Sequence, residues 1–229
     1  MWQYWREVLL DNLFPRLCSG CALPLQSDED CLCLFCLTDL PRTQFECATN
    51  NPMEKLFQGR LPIVSANAFM QFRKGGLAQT LMHELKYNGD QALGRVLGRL
   101  FGLSLQQQAN WRKPDVITCV PLHPLKERKR GFNQSVLIGQ GMADALQIPF
   151  VPKLLVRPGV TDTQTLKKRY ERWENMQAGF VQGEAHAFDH IGIVDDVVTT
   201  GATMEACASV LQASGNTKIS LFALCISIR

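Results

Sequence analysis

The sequence predicts an α/β protein built on a mostly parallel sheet, preceded by a small cysteine-rich module. Three observations predict it. From residue 60 onward short aliphatic runs alternate with helical stretches, the rhythm of strand-helix-strand units. Six of the nine cysteines lie before residue 48. One aliphatic run, "IGIVDDVVTTGAT" from Ile191 to Thr203, ends in two acids and a Thr/Gly turn, at the place where open α/β sheets gather ligands.

The chain starts with "MWQYWREVLLDNLFP", read as a helix, with Arg6, Glu7 and Asp11 where a signal peptide would be apolar. No stretch reaches the roughly 18–20 apolar residues of a membrane span, so a cytoplasmic protein is expected. Nine cysteines without an export signal are better metal ligands than disulfides. Cys18-x2-Cys21 and Cys33-x2-Cys36 form two knuckles separated by eleven residues, a spacing that lets four thiolates surround one structural Zn²⁺. Cys31 is close enough to replace Cys33, and Cys47 is read as a bystander. So small a module buries little apolar surface, so the metal should supply most of its folding free energy. The polar stretch "CATNNPMEK" marks the end of this unit. The division expected is residues 1–52 for the module and 53–229 for the α/β domain.

In the domain, "LPIVSANAF" reads as extended, and Leu77, Leu81 and Leu85 at helical spacing before Gly89 read as a helix with a stop. Gln91 to Gln107 is helical, and "DVITCVP" is a strand ending at Pro121, followed by a projecting loop from Leu122 to Gly131. "NQSVLIGQGMADALQ" is a helix and "IPFVPKLLV" an extended segment. Ile191 to Val194 is a buried strand, Gly201 to Ser214 a helix, and "TKISLFALCI" the closing strand. Cys119, Cys207 and Cys225 fall in core-like segments, where a thiol acts as a small hydrophobe.

The net charge of +3 conceals a concentration: residues 112–172 hold twelve Lys/Arg against five Asp/Glu. Such a block suits a polyanion, a phosphorylated small molecule or nucleic acid, or else is a solvated face. At the junction after Val194, Gly201 permits close backbone approach, Thr199, Thr200 and Thr203 add hydroxyls, and the next helix offers free N–H groups to a phosphate. Asp195 and Asp196 would repel that phosphate unless they serve another part of the ligand, and vicinal ribose hydroxyls fit, with a divalent cation offsetting the charge. The competing reading is an acidic turn in which Thr199 or Thr200 merely caps the helix.

"IGIVDDVVTTGAT" resembles the phosphoribosyl diphosphate (PRPP) signature of type I phosphoribosyltransferases. The resemblance implies that Asp195 and Asp196 hold the ribose hydroxyls and that the segment of Val197, Val198, Thr199, Thr200, Gly201, Ala202 and Thr203 shapes the 5′-phosphate site, with Mg²⁺ accompanying PRPP. Gly192 departs from the larger aliphatic usual in that strand. "VPLHPLKERKRGFNQS", "HELKYNGD" and "TQTLKKRYERWEN" before "AGF" resemble the ComF family of competence proteins, whose members join a zinc module to a phosphoribosyltransferase-like domain. By that resemblance the segment after Pro121 is a pyrophosphate loop, with Lys126 and Arg130 as its ligands. Arg157, Gln164, Arg172 and Asn175 match a basic mobile loop that would close over PRPP, or else an exposed amphipathic helix. His83 and Lys86 are surface residues or a pocket wall.

Two functions follow as expectations. One is a protein of natural transformation that binds PRPP and single-stranded DNA, works with a helicase-like partner, and transfers phosphoribosyl groups to an acceptor the sequence does not identify. The other is a non-catalytic, zinc-dependent interaction module on a scaffold fold.

Overall fold

A computed structural model of the chain describes residues 15–45, 50–108, 111–158, 179–185, 187–213 and 215–227. The expected N-terminal helix, Cys47, and the loop residues Gln164, Arg172 and Asn175 lie outside these. Four strands form one sheet: β1 Ser65–Gln71, β2 Val116–Cys119, β5 His190–Val198 and β6 Lys218–Ile226, in the order β1-β6-β5-β2 and parallel throughout. The short β3 Leu155–Val156 and β4 Val181–Gln182 pair antiparallel beside it. Both faces of the sheet are covered, which is why its strands read as unbroken apolar runs.

On one face lie α3 Leu77–His83, α4 Gln91–Gln106 and α6 Gln134–Leu146. Leu81, Leu85, Leu97, Phe101 and Ile138 pack there with Phe69 and Phe222. Phe101 stacks on Phe69 at 5.4 Å between centroids and meets Phe222 edge-on at 6.1 Å. The cysteine module, which holds the short α1 Leu34–Thr38, joins this core through Cys18, Cys31, Leu32, Cys36 and Leu40. Residues 41–43 run along the outer edge of β1, with Thr43 N–H donating to Phe69 O and Gln71 N–H to Pro41 O, which covers an edge that would otherwise be free to pair. On the other face are α2 Pro52–Phe57 and α7 Ala202–Gln212, with Met53, Phe57, Ile191, Ile193, Cys207 and Leu211 buried together. Asn51 fixes α2: its Oδ1 accepts from Met53 and Glu54 N–H, and its Nδ2 donates to Ala66 O in β1. Cys119, Cys207 and Cys225 are all buried, as expected of small hydrophobes.

Three readings need correction. β5 does not stop at Val194 but runs to Val198, because its pairing with β6 continues through Asp195↔Ala223 to Val198↔Ile226. Residues 124–130 are not a loop but a helix, α5 Pro124–Arg130. Pro124 stands at its first turn, where a missing N–H costs nothing, His123 Nδ1 accepts from Leu125 N–H, and Gly131 ends it at φ +86°. "IPFVPKLLV" is extended only in part. Phe150 bridges to Ile117, and Pro152–Leu154 make one tight turn before β3.

Gly192, the departure within β5, has a packing reason. A Cβ there would lie 2.7 Å from Ile117 Cδ1 and 2.8 Å from Phe222 Cε2, so only glycine lets β2 and β6 side chains meet across the strand.

Candidate functional site

The carboxyl end of β5 carries the two acids. Successive side chains of a strand point to opposite faces, and the partners of Asp195 and Asp196 differ accordingly. Asp195 Oδ1 accepts from Ser135 Oγ at 3.1 Å and from Asp196 N–H at 2.8 Å. Asp196 Oδ2 forms an ion pair with Lys86 Nζ at 2.8 Å, and its Oδ1 accepts from Val197 N–H at 2.6 Å. Burial, and then the neighbouring Asp196 carboxylate, push Asp195 up to about 7, against the pull of Asp196 N–H, Ser135 and Lys86. A carboxyl whose titration is raised to near neutral pH beside a second carboxyl is a feature of ligand sites more than of solvated turns.

Beyond the acids the chain makes a tight turn into α7. Asp195 and residues 197–204 line one shallow cleft, in which Thr199, Thr200, Ala202 and Thr203 are exposed and Val198 and Gly201 buried. Gly201 is at φ +77°, and a Cβ on it would lie 2.7 Å from Phe57. It is therefore held to glycine by both backbone and space. As N-cap it offers no side chain to α7, so the first N–H groups of that helix remain available to an anion. The expected capping by a threonine is limited to a long 3.5 Å contact from Ala202 N–H to Thr200 Oγ1.

The turn is held from outside by Arg60, whose guanidinium donates to Leu56 O and Thr200 O, both at 2.9 Å, and pairs with Glu205. Arg130, expected at a ligand, is half-buried; it donates to Gln134 Oε1 and lies over the Tyr87 ring at 5.7 Å. Lys126 is exposed on α5. Arg157 lies over the Phe180 ring at 5.0 Å.

Sequence reasoning left Lys86 undecided and missed Ser135 and Arg60. The chain makes a wide π turn over Glu84–Asn88, ending at Gly89 with φ +73°. That turn keeps Leu85 in the core and sends Lys86 to Asp196. Such turns recur at functional sites, but a count at ordinary helical spacing does not show one. Ser135 follows the helix cap Asn133, which donates to Val120 O at 2.9 Å. This fixes the start of α6 over the end of β2. Arg60 meets Thr200 across 140 residues of chain, a contact without local signal.

The four predicted thiols come together. The Sγ atoms of Cys18, Cys21, Cys33 and Cys36 all lie within 4.8 Å of one another, and Cys21 and Cys33 are 3.7 Å apart. A zinc tetrahedron with Zn–S arms of ~2.3 Å has edges of about 3.8 Å, so the set fits the ion. Gly20 and Cys33 N–H donate to Cys18 Sγ and Cys36 N–H to Cys33 Sγ, at 3.3–3.4 Å. Burial works against ionising Cys18, but backbone N–H groups, Cys33 first, outweigh it and bring the thiol down to about 7. Cys31 is not in the cluster. Burial, with Asp90 and Asp30 nearby, pushes it up to about 12. The module is tied to the domain where Ser19 Oγ donates to Asp90 Oδ2 at 2.6 Å, the same Asp90 whose Oδ1 caps α4.

Known proteins resemble this chain in sequence. DNA utilization protein YhgH of Escherichia coli K12 is 32% identical over 153 residues, 63% of this chain and 65% of that protein. Competence protein F of Haemophilus influenzae is 27% identical over 150 residues, 63% of this chain and 66% of that protein. The chain is a homologue of the DNA utilization and competence F proteins. It spans just under two thirds of the length of the first of these. Competence protein ComFC of Streptococcus pneumoniae, 24% identical over 211 residues, aligns with 88% of this chain and 90% of its own length. No family model matches. Among solved structures, the glutamine PRPP amidotransferase of B. subtilis complexed with ADP and GMP covers 62% of this chain and 30% of its own, at 18% identity and a TM-score of 0.43. An adenine phosphoribosyltransferase covers 61% and 72%, at 20% identity and a TM-score of 0.39. No described helix is long and apolar enough to cross a membrane.

Proposed function

We propose that the cleft after β5 binds a ribose 5-phosphate carrying a diphosphate, PRPP or a close relative, and that the chain serves DNA uptake or utilisation as the names of its homologues state for them. The observation that carries this reading is one cleft shared by Asp195 and an uncapped helix N-terminus with its Thr/Gly turn. The carboxylates of Asp195 and Asp196 accept hydrogen bonds from the sugar hydroxyls. The N–H groups and hydroxyls of Thr199 to Thr203 donate to the 5′-phosphate. Magnesium brought in with the diphosphate would offset its charge against the acids, with Asp196 and ligand oxygens as its donors. Lys126 and Arg130 on and after the first turn of α5 are assigned to the diphosphate, and Arg157, with Gln164, Arg172 and Asn175, to the covering loop.

Departure of pyrophosphate toward those cations would leave an electrophilic anomeric carbon for an acceptor, which makes phosphoribosyl transfer the reaction the site suits. The exposed cations of α5 suit a single strand handed on by a helicase-like partner, and zinc in the four-thiolate cluster serves structure, in a unit ending near residue 52. A second reading, a non-catalytic interaction module, is favoured only by the exposed apolar side chains of Leu23, Leu34 and Phe35 on the cysteine module. A transformation assay separates them. A deletion strain complemented with Asp195→Asn/Asp196→Asn should stay defective while the variant protein folds normally; full rescue would exclude a role for the acid pair.

A further inference from the structure

Tyr87 is 68% exposed, yet it is not an isolated surface aromatic. The His83 ring lies 4.9 Å from it and the Arg130 guanidinium 5.7 Å from its centroid. Three planar groups, two rings and a guanidinium, thus converge on one patch of surface. The π turn over Glu84–Asn88 places them, since it holds Leu85 in the core while Tyr87 stands out, and Asn88 Nδ2 braces it on Glu84 Oε2 at 2.8 Å.

The patch adjoins the acid pair on two sides. Lys86, next to Tyr87 in the chain, pairs with Asp196. Arg130 binds Gln134, and Ser135, next to Gln134, binds Asp195. Four contacts, joined by the chain-neighbour steps Lys86–Tyr87 and Gln134–Ser135, therefore link Asp196 to Asp195 by way of Tyr87 and Arg130. Around Arg130, α5 also presents the exposed cations Lys126, Arg128 and Lys129 against one exposed acid, Glu127, and one exposed apolar side chain, Leu125, a net positive surround that suits a phosphate backbone.

We infer that Tyr87, with His83 and Arg130, forms a stacking platform for an unstacked nucleobase beside the acid pair. Every base offers a π-face, and stacking on an aromatic or an Arg plane binds it without reading its sequence. The inference rests on the reading of the acids as a sugar-phosphate site. There a sugar held by its hydroxyls would place its base within reach of the rim. The base belongs either to a single strand or to a free nucleotide, and paired probes distinguish the two.

The test measures binding of a short thymidine strand against an abasic strand of equal length, and of AMP against ribose 5-phosphate, by the full-length zinc-loaded protein. The wild type should bind the base-bearing member of at least one pair about tenfold more tightly, the scale of one stacked base. Tyr87→Ala should bring that ratio to about one and Tyr87→Phe should keep it, at unchanged thermal midpoints. An unchanged ratio in Tyr87→Ala, or a wild-type ratio of one in both pairs, would overturn the platform. PRPP, which carries no base, reads the acid pair separately: loss of PRPP binding with the base preference intact would sink the sugar-phosphate reading alone.

Discussion

Replacing Asp195 by asparagine should remove a pH dependence from the stability of the ligand-free protein. The amide keeps the shape and can still accept from Ser135, but it does not titrate. In the native state Asp195 ionises near 7, since burial and Asp196 oppose its charge, whereas an unfolded aspartate ionises near about 4. Between those values the native state binds more protons than the unfolded one, so stability falls as pH rises from about 4 to about 7 and is then level. A gap of three pH units sets a ceiling of about 4 kcal/mol, and the side chain's partial access to water reduces the expectation to about 1–2 kcal/mol. Urea unfolding of wild type and Asp195→Asn at pH 5 and pH 8 reads it. The variant should gain about 1–2 kcal/mol relative to wild type on going to pH 8. Titrations at Cys18 and other groups are common to both proteins and cancel. Parallel behaviour at the two pH values would refute the assignment of a raised Asp195.

Gly201→Ala should cost about 2–4 kcal/mol, from a left-handed backbone and a Cβ driven into Phe57, measured by thermal or urea unfolding. Native mass spectrometry should find one zinc per chain in Cys31→Ser and none in Cys33→Ser, because only Cys33 lies in the thiolate cluster. Lys86→Met removes the cation that favours ionised Asp195, so the pH midpoint of the Asp195 titration, followed by NMR, should move upward.

What could be read from sequence follows the range of the interactions. The acids, the Thr/Gly turn and the four thiols were legible because each is a local pattern whose chemistry needs neighbours in the chain. Sequence pattern alone ends the strand carrying the acids four residues short, because two adjacent charges resemble a loop, whereas β6 pairs beside them and the carboxylates project from a continuing strand. The basic run after Pro121 resembles a loop for its charge, although Pro124 and Gly131 stand at the start and end positions of a helix. The direction of Lys86 depends on a π turn, and the role of Arg60 has no local signal because its partners in the turn and α7 lie 140 and 145 residues away. Gly192 departs from the usual aliphatic because Ile117 and Phe222 close over it, contacts with no signal in the sequence.

Calorimetric titration of PRPP, with and without Mg²⁺, into the wild type and into Asp195→Asn/Asp196→Asn tests the central claim most directly. Saturable, magnesium-strengthened binding by the wild type and a loss of at least about a hundredfold in the variant is the result predicted, since two charge-assisted hydrogen-bonding carboxylates are removed. Equal affinity in the two proteins, or no binding by the wild type, would contradict it.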